Sequence, residues 1–174
     1  MFKENYMYDE LTQVDIQKIE EEIKYRESVL APELGEELRR TREFGDLSEN
    51  AEYKEAKREK RKNESRIRYL KNLLRTAKII EPQKRASDVV GLFDRVTIYN
   101  EKQKIEKTVQ IVTTLRQNAL LGYISKESPL GSALLGAKLY ERRLVRVSDT
   151  LSYYVEIRAI EKGEDNTSLP ISGF

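Results

Sequence analysis

"EFGDLSENAEY", residues 43–53, interrupts a stretch of sequence that is otherwise helical in character and heavily charged. A tight turn between two helices has a use for Gly45, because glycine reaches left-handed backbone angles without steric cost. The turn does not need Asp46 and Glu49 so close together, nor the apolar Phe44 and Leu47 beside them. The segment therefore reads as a joint between helices that also carries a working surface.

On both sides of the joint the chain is built from good helix formers. Glu, Lys, Arg, Leu and Ala dominate from Thr12 to Ile80. Before it, Ile16, Ile19, Ile23, Leu30, Leu34 and Leu38 step mostly by three, four or seven. After it, Ala56, Ile67, Leu70 and Leu74 repeat the pattern, with Lys60 and Asn63 in the intervening slots. A stripe this narrow predicts an antiparallel two-helix coiled coil rather than a globular helical core. Pro32 falls inside the first helix and predicts a bend there. About 30 residues per limb at roughly 1.5 Å each give a rod on the order of 45 Å long. Polar seam positions weaken such a rod, so stability alone does not explain it.

Glu81-Pro82 ends the helical region, and "QKRASD" (83–88) follows as a polar linker. The texture then changes. "DRVTIY", "KTVQIVTTL", "LLGYI", "LVRVS" and "YYVEIRAI" are β-rich runs bounded by turn residues. Between them "SPLGSALLG" (128–136) predicts a short helix, capped by Ser128, opened by Pro129 and closed by Gly136. The expected class is α+β, with a coiled-coil hairpin over residues 1–80 and its tip at about 43–50. A linker at 81–87 leads to a small antiparallel sheet domain with one helix over 88–174. The polar end "KGEDNTSLPISGF" predicts a mobile tail from about residue 162.

Composition narrows the chemistry. Residues 1–80 carry 18 basic and 18 acidic side chains, and residues 81–174 carry 14 and 12. With no basic tail, indiscriminate coating of nucleic acid is not expected. Histidine and cysteine are both absent. That excludes Ser-His-Asp and Cys-His catalysis, disulfides and thiolate metal sites, and any metal must be a hard ion held by oxygen. The start "MFKENYMYDE" lacks the apolar core of a signal peptide, and no apolar run approaches a membrane span. A soluble, cytoplasmic protein is expected.

Two readings of the tip acids stand side by side. Asp46 and Glu49 are three apart, so on a helix they share a face. Asp46 can be a helix cap with Glu49 as the return partner of a capping box, where both charges suit the positive helix end. That reading leaves Phe44 and Leu47 unexplained, since a staple to an Asp46 cap would pair Gly45 with Asn50. Alternatively the two carboxylates are ligands for a hard metal. Two of them hold Mg²⁺ poorly alone, so they would complete a site in a partner. Behind them, "KEAKREKRK" (54–62) is a basic run interrupted by Glu55 and Glu59. Arg42 and Lys57 flank the turn and can hold a phosphate backbone, or simply belong to solvated, ion-paired helix faces.

"REFGDLSENAEYKEAK" (42–57) resembles the tip signature of the bacterial Gre transcript-cleavage factors, and "SPLGSALLG" resembles the helix motif of their second domain. The resemblance spans about residues 11–160 in the same order and implies an FKBP-like second domain. It implies that RNA polymerase is the partner, that the coiled coil enters the polymerase's secondary channel, and that the backtracked RNA 3′ end is cut by the polymerase's own active site. Asp46 and Glu49 would then help hold a Mg²⁺ ion in that active site, with no cofactor bound by this chain alone. Arg42 and Lys57 would contact RNA, Lys57 standing where the family often has Arg. Glu127, Ser128 and Pro129 would seat the second domain on polymerase, with Glu where some members have Asp. A monomer acting in trans is implied. Arg142-Arg143 stands where a Gly-Asp pair is usual, and the segments before Leu11 and after Glu161 are longer than the family pattern. Rival readings are a paralogue that occupies the channel without promoting cleavage, a free-standing prolyl isomerase suggested by fold alone, and a plain coiled-coil adapter.

Overall fold

Thr12 ends one element and begins the next. Its hydroxyl accepts from the Asp15 amide (3.3 Å), and its own amide donates to Asp15 Oδ2 (3.0 Å). This reciprocal cap starts the first helix in the computed structural model, which describes residues 10–43, 50–166 and 168–171. Helix α1 (Gln13–Tyr25) runs into a π-helical turn (Arg26–Leu30) and then α2 (Ala31–Arg42); α3 (Ala51–Thr76) returns. Two compact units result, one of Ile16–Ala77 and one of Met1–Asp15 with Lys78–Phe174. Sequence texture assigns everything to residue 80 to the hairpin. The structure groups Glu10–Asp15 with the second unit instead.

Within the helical unit, cross-limb partners rise in number on one limb as they fall on the other. Glu22 meets Arg66, Arg26 meets Asn63, and Thr41 meets Asn50. The limbs are therefore antiparallel. Just ahead of Pro32, where a bend is expected, the Ala31 amide donates to the Arg26 carbonyl, an i→i−5 bond. That turn widens the helix just ahead of a residue with no N–H, whose ring would otherwise press on the carbonyl four residues back. The seam also differs from expectation by one position. Buried residues on α3 are Ala56, Asn63, Arg66, Leu70 and Leu73, while Ile67 and Leu74 sit half-buried beside them.

Arg66 accounts for the shift. Its guanidinium grips Glu22 with both Nε (2.8 Å) and NH2 (3.1 Å). Arg26 Nε donates to the same carboxylate (2.6 Å) and its NH1 to Asn63 Oδ1 (3.0 Å). A partly buried polar network of this kind favours one register of the limbs. Burial pushes the Glu22 carboxyl up, but hydrogen bonds from Arg66 and Arg26 outweigh it and hold the group below its ordinary 4.5. A depressed carboxylate adds stability that is complete above the unfolded value and lost as pH falls through the folded one. We therefore expect wild-type hairpin helicity to weaken below about pH 4.5. A Glu22→Gln variant, less stable at neutral pH, should lose part of that acid dependence in circular-dichroism titration. Equal acid slopes in the two proteins would remove Glu22 as the cause.

The second unit is a five-stranded sheet of order β5-β4-β3-β7-β6. Its strands are β3 (Arg95–Asn100), β4 (Ile105–Val112), β5 (Tyr123–Ser125), β6 (Arg142–Arg146) and β7 (Ser152–Glu161). Val96 and Ile98, Val109 and Ile111, Val145, and Val155 and Ile157 alternate onto one face. Leu134 of α4 (Pro129–Leu134), with Val90 and Ala137, covers that face. Three of the four pairings are antiparallel as expected; β4 and β5 run parallel, which makes the sheet mixed. A separate parallel pair, β1 (Glu10–Leu11) with β2 (Lys78–Ile79), lies in the same unit.

Residues 162–166, at the start of the segment expected to be mobile, carry fixed contacts. Asp94 is buried and accepts from the Gly91 amide (2.6 Å), Lys162 Nζ (2.6 Å) and the Gly163 amide (3.0 Å). A side chain at Gly163 would meet the Phe93 carbonyl at 2.0 Å, so only glycine lies this close. Asp165 then pairs with Arg116 NH2 (2.7 Å), and the Asn166 carbonyl accepts from Arg116 NH1 (3.0 Å). Arg116 also reaches Asp15 Oδ1 through Nε (2.5 Å). One fully buried guanidinium thus joins the start of α1, the sheet domain and the last segment.

Candidate functional site

The turn between α2 and α3 is built from its neck. Asn50 has the extended backbone of a helix cap, and its Oδ1 accepts from the Tyr53 amide (2.9 Å). Its Nδ2 donates across to the Thr41 carbonyl (2.9 Å), tying the end of α2 to the beginning of α3. Asn50 therefore fills the capping role that the sequence also allowed for Asp46, by supplying the amide acceptor α3 requires. Asp46 and Glu49 themselves, with Phe44 and Leu47, lie outside the described residues.

Arg42 is the last residue of α2, and Lys57 lies two turns into α3. Sequence reasoning paired them but missed what stands between them. The Arg42 guanidinium is 5.7 Å and Lys57 Nζ 5.8 Å from the centroid of the Tyr53 ring. Hydrogen bonding from Arg42 holds the Tyr53 phenol below its ordinary range, and the fields of Arg42, Lys57 and Arg61 act in the same direction. The available signal was spacing: Tyr53, Lys57 and Arg61 are four apart and share one face of α3.

At the other candidate surface, Ser128 Oγ accepts from the Gly131 amide (3.0 Å) and donates to the Ser125 carbonyl (2.6 Å). Pro129 is the first residue of α4, and the Glu127 side chain is exposed, 3.5 Å from Lys126. A Cβ at Gly131 would come within 2.0 Å of the Ser125 carbonyl, so glycine permits the close seating of α4 on the end of β5. Arg142 forks onto Glu101 (2.6 and 2.8 Å) and lies 3.4 Å from the centre of the Tyr154 ring. Arg143 pairs with Glu141 (3.0 Å). Among the described residues no group of three or more metal-ligating side chains comes together, and no helix is long and apolar enough to cross a membrane.

Residues 10–79 match the family model described as "Transcription elongation factor, N-terminal", and residues 84–162 match "Transcription elongation factor, GreA/GreB, C-term". The chain belongs to the GreA/GreB transcription elongation factors. Among curated Gre relatives, transcription elongation factor GreA of Thermoanaerobacter pseudethanolicus is 40% identical over 129 residues, covering 74% of this chain and 82% of that one. GreA of Caldanaerobacter subterraneus subsp. tengcongensis is 39% identical over 137 residues, covering 79% and 87%. Among solved structures, GreA factor homolog 1 (Gfh1) of Thermus thermophilus aligns over 88% of this chain and 99% of its own at 24% identity, with a TM-score of 0.40. In Gre terms the two matched regions meet near the linker, one containing the hairpin and the other the sheet domain. This transcription elongation factor has its turn motif in the first region and Glu127, Ser128 and Pro129 in the second.

Proposed function

We propose that this elongation factor works on RNA polymerase, with its hairpin in the secondary channel and its tip at the active centre of a backtracked complex. There it stimulates cleavage of the extruded RNA 3′ end. The bond is cut by the polymerase, and this chain lends groups in trans. Asp46 and Glu49 offer hard oxygen donors suited to Mg²⁺, too few to hold the ion by themselves. A Mg²⁺ ion held chiefly by the polymerase would supply Lewis-acid polarisation of the phosphate and the attacking water. The two carboxylates would add negative charge and hydrogen-bond acceptors beside that water. Arg42 and Lys57 would hold the RNA backbone, Lys57 as a point charge where an arginine would form a fork. Glu127, Ser128 and Pro129 would seat the second unit on polymerase. The protein would act as a monomer in the cytoplasm.

The observation that carries this reading is the D-x-x-E motif between the antiparallel α2 and α3, in a chain that matches both Gre regions. Stalled, backtracked polymerase complexes incubated with the protein test it. Shortened RNA that can be extended again is the expected result. Occupancy of the polymerase channel with no shortened RNA would overturn it and leave a channel-occupying regulator.

A further inference from the structure

Several cations near the turn are ion-paired along their own helix. Arg39 and Arg40 of α2 pair with Glu36 and Glu37, and on α3 Arg58, Lys60 and Lys62 pair with Glu55, Glu64 and Glu59. These are the i,i+3 and i,i+4 pairs of a solvated helix face. Arg42, Lys57 and Arg61 lie in the same stretch, yet among the described residues none has a carboxylate partner. Two of them, Arg42 and Lys57, face one side chain, Tyr53. Nearby like charges repel, so without a purpose such a cluster would be expected to spread into solvent or to pair with one of the many glutamates at hand.

We propose that Tyr53 is a positioning residue that presents Arg42 and Lys57 as one preassembled holder for a phosphodiester of single-stranded RNA. The inference rests on the function proposed above and adds a residue to it. Arg42 comes from the end of one helix and Lys57 from the second turn of the other, and the Tyr53 ring between them is what both touch. The Asn50 bridge to Thr41 fixes the backbone from which Arg42 extends, and the same Asn50 caps the turn that carries Tyr53. The ring gives both cations a face, a weaker partner than a carboxylate. Among the described residues the cations are thereby aimed without being neutralised, and an incoming phosphate can serve as their counter-charge. A glutamate in place of Tyr53 would aim them equally well and occupy them.

Anisotropy of a short fluorescein-labelled oligouridylate with the full chain at low salt reads the holder directly, apart from any cleavage. Tyr53→Leu should weaken binding about tenfold, the scale of one charge-assisted hydrogen bond. Arg42→Gln should weaken it similarly and make the slope of log affinity against log salt shallower by roughly 0.7, the value for one phosphate no longer neutralised. The Tyr53→Leu/Arg42→Gln double variant should lose less than the two single losses combined, because Tyr53 acts in part through the arginine. Tyr53→Phe keeps the ring and should recover part of the affinity. Thermal melts of every variant separate this from loss of the hairpin, which must stay folded for the comparison to count against wild type. Wild-type affinity in Tyr53→Leu, additive losses in the double variant, loss traced to unfolding, or no oligouridylate binding by wild type would each overturn the proposal. Failure of wild type to cleave backtracked complexes while this binding pattern holds would instead overturn the proposed function.

Discussion

Backtracked complexes given an Asp46→Ala/Glu49→Ala variant are expected to release shortened RNA at least about a hundredfold more slowly than with wild type, the scale on which removing a preorganised group from a reacting centre acts. Binding to polymerase should be nearly unchanged, since Glu127, Ser128 and Pro129 belong to a different unit of the chain. α3 should also survive, because its cap is Asn50. That point separates the two readings of the acids. If their main work were capping, the double variant would lose roughly 1 kcal/mol of helix stability per cap removed, with cleavage falling only as far as folding did. Cleavage by the variant at wild-type rate, with its helicity intact, would refute the tip mechanism. Asp46→Asn and Glu49→Gln, which keep shape and remove charge, should fail nearly as badly as the alanines.

The second large effect is on stability. Arg116→Met should destabilise the second unit by about 3–5 kcal/mol, the cost of leaving a buried charge without its partner. The side chains of Arg116 and Asp15 are both 0% exposed, so the Asp15 carboxylate would have no solvent to fall back on. Its remaining donors would be the amide and hydroxyl of Thr12. A fall in Tm on the order of 10 °C is expected by calorimetry, together with easier proteolysis after Glu161 as Asp165 and Asn166 lose their anchor. Adding Asp15→Asn should restore part of the loss by removing the stranded charge. Arg142→Met is the control: that arginine also forks onto a carboxylate, but its side chain is 54% exposed and should cost no more than about 1 kcal/mol. Equal melting of the Arg116 and Arg142 variants would show that the buried cluster does not hold the unit together.

These two predictions fall on opposite sides of what the sequence could reveal. The hairpin was legible because its evidence is local: a periodic stripe, a glycine break, and helix formers on both sides. The short helix was legible for the same reason, with Ser128 capping it, Pro129 opening it and Gly136 following its end at positive φ, as their types suit them to do. Arg116 was not, since its acidic partners lie at opposite ends of the chain and nothing in "TTLRQN" distinguishes a buried arginine from a solvated one. The seam slipped by a residue because periodicity counts apolar side chains, and Arg66 is buried only by virtue of Glu22. The segment from residue 162 looked mobile because composition sees polar residues, while residues 162–166 are held by a close approach at Gly163, the buried Asp94 and the buried Arg116. Parallel pairing of β5 also escaped, since strand texture carries no direction. At the tip, charge and spacing pointed to Arg42 and Lys57, and the tyrosine that relates them was hidden among ordinary helix residues.

The guanidinium that draws Asp15 and Asn166 together also sets an order of events. Asp15 waits 101 residues of synthesis for Arg116, and Arg116 waits 50 more for the Asn166 carbonyl. At ribosomal speeds of about 5–20 residues per second, the second interval alone is roughly 3–10 s. The contacts between α2 and α3 are nearer in sequence and can form far sooner. A nascent chain would thus have its helical arm assembled while the first turn of α1 still lacked its anchor, and final locking would await translation of Asn166.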